Sequence, residues 1–142
     1  MHMIDISEKE STKRRAEARG RLLLQKETIE KINKHKIKKG DPIEIARIAA
    51  LNAAKETSRM IPLCHQIQLE LVKSEFDINE NSIVVKVTVS AYAKTGVEME
   101  ALTGVSLALL TLWDMVKYLE KDDKGQYPLT QITDVEVVKK EK

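Results

Sequence analysis

Three features of this 142-residue chain predict an α+β fold, an antiparallel sheet with helices on one face. Apolar and polar residues alternate near both ends, a β-branched run, IVVKVTVSAYA, lies in the middle, and two long segments between them carry helical signals. The chain is near the commonest size for one domain. With 42% hydrophobic and 32% charged residues it can bury one packed core and does not read as extended disorder.

Between Thr12 and Leu24, Arg14, Ala16, Ala18 and Gly20 fall on one alternating set, and Arg15, Glu17, Arg19 and Arg21 on the other, which predicts a strand. Ile29 and Ile32 stand at helical spacing within Glu27 to His35, ahead of the lysine-rich turn KIKKGD, so a short helix ends there. Asp41-Pro42 opens a second helix, because the carboxylate accepts free N–H groups and proline in the first turn gives up no hydrogen bond. This helix is expected to reach about Arg59. Its small residues Ala49, Ala53 and Ala54 allow another layer close, and Ile61-Pro62 forces an extended exit. Leu69, Leu71, Phe76 and Ile78 predict a strand, Glu80-Asn81 a turn, and Ile83 to Ala93 a second strand, together a hairpin. Thr95-Gly96 breaks the pattern. Val97 to about Leu119 then reads as a long helix, and TQITDVEVV as a closing strand. The order is βαββαβ with an extra helix, the ferredoxin-like plan. No repeat or low-complexity linker divides the chain, so residues 1–142 are expected to form one domain.

Composition narrows the function classes. The formal net charge is only +2, yet residues 13–39 hold eleven Lys/Arg against three Glu, a local +8 that raises the alternative of a basic nucleic-acid-binding module. Five aromatic residues in the whole chain speak against it, since single-strand recognition stacks bases on exposed rings. Cys64 is the only cysteine, which excludes an intrachain disulfide and a cysteine-rich zinc site. No metal-ligand constellation and no cofactor motif is present, so any Mg²⁺ is expected to arrive with phosphates. The polar start, MHMIDISEKESTKRR, lacks a secretory pattern and suggests a cytoplasmic protein. The longest uncharged apolar run, Ala101 to Trp113, falls short of the roughly 20 residues needed to cross a bilayer and reads as a buried helix rather than a membrane span.

Several side chains are candidates for chemistry. Asp114 is the one charge between Ala101 and Val116, set among Leu107, Leu109, Leu110, Leu112, Trp113 and Met115, and Lys117 follows three residues on. A buried or half-buried Asp/Lys pair able to move protons is expected, although the spacing also suits an ordinary ion pair on a wet helix face. Glu98 and Glu100 stand in the first turn of that helix, where carboxylates favour the dipole, and two residues apart they point in roughly opposite directions. His65 follows Cys64 at the proline exit and can bind an anion or hydrogen-bond to backbone; Cys64 itself reads as packing. Lys36, Lys38 and Lys39 precede the helix start at Asp41. They suit a phosphate or simply a solvated surface.

Together the segments KGD at Lys39 to Asp41, ARIA at Ala46 to Ala49, IPLCH at Ile61 to His65, TGVEMEALT at Thr95 to Thr103 and WDMVK at Trp113 to Lys117 resemble the molybdenum cofactor biosynthesis protein C family, in order and spacing. The resemblance implies a cyclic pyranopterin monophosphate synthase, a lyase that converts a cyclised GTP derivative to a cyclic-phosphate pterin and releases pyrophosphate. It further implies that Asp114, Lys117 and Lys39 are catalytic, that Leu63, Cys64, His65, Met99 and Glu100 contact the nucleotide-derived substrate, and that Glu98, Arg14 and Asp5 occupy other pocket positions. A homo-oligomer with sites at subunit contacts, a hexamer built as a trimer of dimers, is also implied. Lys117 is the expected proton carrier, oriented by Asp114. Gln66 stands where the family pattern has proline.

Overall fold

The computed structural model describes residues 1–142. Its elements are β1 (Thr12–Leu23), α1 (Lys26–Asn33), α2 (Pro42–Lys55), α3 (Thr57–Met60), β2 (Leu71–Ile78), β3 (Ser82–Ala93), α4 (Glu98–Glu120) and β4 (Gln131–Glu141). The four strands form one sheet in the order β2-β3-β1-β4, and every neighbouring pair is antiparallel. Each half of the chain therefore makes a split crossover: β1 and β2 flank β3, and β3 and β4 flank β1. This is the ferredoxin-like plan with two extra helices rather than one, since α1, α2 and the single turn α3 all lie between β1 and β2.

The row of β1 that faces the helices is Arg14, Ala16, Ala18, Gly20 and Leu22, all buried, while the alternate row remains wetter. Small residues there let α4 lie close. A Cβ on Gly20 would sit 2.7 Å from Leu109 Cδ1 and 2.9 Å from Val105 Cγ1, so glycine is needed for close approach rather than for a turn. Ala16 and Ala18 pair with Val89 and Val87 on β3, and these residues join Val105, Leu109, Leu112 and Val116 of α4 in the core. Gly104 plays the same part between helices, where a Cβ would lie 3.3 Å from the Ala50 carbonyl oxygen on α2. Although α4 is long and apolar enough to span a membrane by composition, half of its apolar window is buried against protein, as befits a core helix.

Some boundaries differ from the sequence reading. The second helix stops at Lys55 instead of running to Arg59, because Glu56 leaves helical geometry and the Thr57 hydroxyl turns back to donate to Ala53 O and Ala54 O at 2.9 and 3.0 Å. The separate turn α3 follows. α1 ends at Asn33, and His35 beyond it adopts a left-handed φ of 55°. β2 begins at Leu71 rather than Leu69, while β4 extends to Glu141 along β1.

Candidate functional site

Asp114 lies on the outer face of α4, its side chain 58% exposed. The expectation of a buried or half-buried acid fails at this point. The apolar residues around it in sequence divide between two faces of the helix: Leu109, Leu112, Met115 and Val116 point into the core, while Leu110 is exposed and Trp113 is partly buried. Asp114 is nonetheless the centre of a cationic cluster. Lys117 Nζ lies 3.3 Å from Oδ1, and Lys39 Nζ, brought from a distant turn, donates to Oδ2 at 3.0 Å and to the Asp114 carbonyl oxygen at 3.1 Å. Two ammonium groups share one carboxylate, leaving a net positive, solvent-accessible cluster. The Lys39 hydrogen bond, then that of Lys117, holds the Asp114 carboxyl below the usual carboxylate range.

Lys39 owes its place to the turn between α1 and α2. Ile37 anchors that turn in the core, Gly40 takes φ 120°, and Asp41 accepts from Ile43 N and Glu44 N at 3.0 and 3.4 Å to start α2. The free N–H groups of α2 are thus occupied by its own cap. Lys39 reaches Asp114 rather than a phosphate subsite at that terminus.

The remaining candidate residues gather at the opposite end of the sheet. Glu100 is 2% exposed, and its Oε1 has no hydrogen-bond partner; burial pushes its carboxyl up, with the Glu98 charge adding to the effect. Glu98 folds over Gly96 and accepts from Lys140 Nζ at 3.2 Å through Oε1, while its buried Oε2 is unpartnered. The two glutamates differ in their partners, yet they stand close enough that the Glu98 charge acts on Glu100 and both act on Cys64. Cys64 is partly buried, with its thiol 3.8 Å from the His65 carbonyl oxygen, and burial together with Glu100 and Glu98 pushes that thiol up, away from nucleophilic thiolate chemistry. Arg14, 5% exposed, donates to Ala93 O and Lys94 O at 3.3 and 3.2 Å and so ties the end of β3 beside the Thr95-Gly96 break.

His65 Nε2 lies 2.7 Å from the Ile4 carbonyl oxygen, and Lys94 Nζ donates to Ser7 O at 3.2 Å, so the N-terminal segment lies across this end. Asp5 accepts from Ser7 N at 2.8 Å, which lowers its carboxyl below the usual range. An open cleft of about 430 Å³ lies between this segment, Leu63, His65 and Thr95. Met99 is exposed nearby in sequence, at the start of α4.

A separation follows from α4 itself. Glu100 and Asp114 are fourteen residues apart on one continuous helix, about 21 Å at 1.5 Å per residue. Within one chain, Lys39, Asp114 and Lys117 meet, whereas Arg14 and His65 do not join them. No group of three or more His, Cys, Asp or Glu side chains is placed to hold a metal ion. The basic segment 13–39 forms no unbroken cationic face: Arg19 and Arg21 pair with Glu136 and Asp134, Lys26 with Glu80, and Arg14 is buried. Sequence reasoning missed Tyr118, whose hydroxyl oxygen accepts from Lys38 N at 2.9 Å, and Lys140, which pairs with Glu98. Tyr118 adjoins Lys117 in sequence. Nothing local signals that it reaches the Lys39 turn.

Comparison with known proteins gives a consistent result. The model of the MoaC family matches residues 3–142. A Methanothermobacter thermautotrophicus protein named "Probable cyclic pyranopterin monophosphate synthase accessory protein" is 51% identical over 142 residues, covering all of this chain and 89% of its own. Proteins named "Probable cyclic pyranopterin monophosphate synthase" from Sulfolobus acidocaldarius and Pyrococcus furiosus are each 53% identical over 138 residues. These alignments cover 97% of this chain, and 96% and 88% of the two relatives.

Proposed function

Because the chain belongs to the MoaC family, we propose that it is a cyclic pyranopterin monophosphate synthase of molybdenum cofactor biosynthesis, working as one domain over residues 1–142. Its substrate is the cyclised GTP derivative 3',8-cyclo-7,8-dihydro-GTP, and its class is a pyrophosphate-releasing lyase. The observation that carries this reading is the meeting of Lys39 and Lys117 on the two oxygens of Asp114.

Forming a cyclic phosphate with loss of pyrophosphate requires a substrate hydroxyl oxygen to bond to the α-phosphorus while the bond from that phosphorus to the pyrophosphate oxygen breaks. The hydroxyl proton needs an acceptor, and the leaving group needs cations. Asp114, held ionised by its two partners, serves as an orienting anion rather than as an acid. The proton is assigned to Lys117, which must first give up its own, so that its free amine can accept the hydroxyl proton and return to ammonium, while Lys39 neutralises phosphate charge or shares that work.

At the other end, the buried and unpartnered Glu100 oxygen calls for N–H donors, which the aminopyrimidinone edge of a guanine-derived ring supplies. Leu63, Cys64, His65 and Met99 complete that contact, and Glu98, Arg14 and Asp5 shape the pocket around it. A single copy leaves these groups about 21 Å from the amines along α4, so the complete site uses two copies of the chain. The assembly is a hexamer built as a trimer of dimers, acting in the cytoplasm. Exposed apolar residues on α2 (Ile45, Ile48, Leu51) and β4 (Val135, Val137, Val138) support burial against other copies. Incubating the folded protein with the cyclised GTP derivative tests the assignment: pyrophosphate and the cyclic-phosphate pterin should appear in equal amounts, and absence of both would overturn it.

A further inference from the structure

The turn that carries Lys39 is pinned to the core by Ile37, and few hydrogen bonds tie it to the rest of the fold. From Lys34 to Gly40 the backbone is neither helix nor strand, and Lys34, His35, Lys36 and Gly40 donate only to carbonyls of α1 or of the turn itself. Lys38 N is different. It donates to the hydroxyl oxygen of Tyr118 on α4 at 2.9 Å, and the Lys38 ammonium group lies 5.2 Å from the centre of the Tyr118 ring. Tyr118 follows Lys117 directly, and the residue it holds directly precedes Lys39. One phenol thus couples the backbone beside one amine of the cluster to the backbone beside the other.

We infer that Tyr118 is a positioning residue for Lys39: by holding the Lys38 amide and ammonium group against α4, it sets where the Lys39 amine stands relative to Asp114 and Lys117. The inference rests on the reading that these three residues carry the chemistry. A long lysine side chain has many rotamers, so placing its backbone raises the fraction of molecules with the amine in working position. Loss of this hydrogen bond leaves Lys39 placed by the buried Ile37 two residues before it and by its own bonds to Asp114. Those bonds compete with water, because both residues are exposed.

Tyr118→Phe removes the accepting oxygen and keeps the ring, and Lys39→Ala is measured beside it with the cyclised GTP derivative as substrate. The expected result for Tyr118→Phe is a three- to tenfold fall in kcat, with KM within about twofold of wild type and an unchanged melting temperature. Tyr118→Ala, which also removes the ring, should lower kcat further. Unchanged kcat in Tyr118→Phe alongside an inactive Lys39→Ala overturns the role of Tyr118 alone. A fall in kcat matched by a fall in melting temperature also overturns it, since that is the mark of a merely structural contact. Full activity in Lys39→Ala overturns the underlying reading instead.

Discussion

Replacing Glu120 with alanine should destabilise the protein by about 3–6 kcal/mol. The residue ends α4 and is fully buried, and its carboxylate accepts from Gln25 N at 3.2 Å through either oxygen, from Thr130 Oγ1 at 2.7 Å and from Thr28 Oγ1 in a short hydrogen bond. Gln25 Nε2 also donates to its carbonyl oxygen. α1 has no side-chain cap of its own at Gln25, so Glu120 fills that role from another element while tying in the approach to β4. Alanine would leave three donors in the interior without a partner, and each such loss costs roughly 1–2 kcal/mol before any cavity is counted. Set against a typical total stability of about 5–15 kcal/mol, this is a large fraction. Urea unfolding at fixed protomer concentration should show a lower midpoint with an unchanged slope. A loss below about 1 kcal/mol would show instead that water satisfies those donors as well as Glu120 does.

Three further outcomes follow from the same structure. Gly20→Ala should cost about 1–3 kcal/mol in the same unfolding assay, since its methyl group would press on Leu109 and Val105 beneath α4. Glu100→Gln should flatten part of the pH dependence of stability. The native Glu100 carboxyl titrates above its unfolded value, so the folded state binds more protons between the two values, and wild-type stability falls through that window as pH rises. Melting temperatures between pH 4 and 7 should therefore move in favour of the glutamine variant towards neutrality, and parallel curves would count against it. Asp114→Asn should lower turnover by about 10²-fold or more while leaving the melting temperature unchanged, because the side chain is exposed yet holds both lysines.

Period-2 and helical patterns made the sheet and α4 legible because they record which face is buried: Ala16, Ala18 and Gly20 declare the row beneath the helix before any coordinate is known. The end of α2 was not legible, since the hydroxyl of Thr57 decides it and no periodicity reports a side chain turning back on its own helix. Asp114 stands out in the sequence by its isolation among apolar residues, but the fold leaves it exposed. A window of sequence averages over both faces of α4, and the apolar residues around Asp114 mostly belong to the inner one. Lys39, Asp114 and Lys117 come together in one cluster, while the distance from them to Glu100 and His65 lies in the length of a helix and no motif states it. Glu120 and Tyr118 carry no sequence signal for a related reason. Their partners, Thr28, Thr130 and Lys38, come from other elements, so neither residue looks special until the chain is folded.

In the proposed function, one site takes Lys39, Asp114 and Lys117 from one copy of the chain and Glu100 and His65 from another. Co-expressing Asp114→Asn with His65→Ala chains and purifying the mixed oligomers tests this directly. Each variant should be inactive alone, and random pairing at a two-fold interface should restore about a quarter of wild-type turnover, since half the pairs are mixed and each mixed pair holds one intact site. Mixed oligomers as inactive as either parent would contradict the claim.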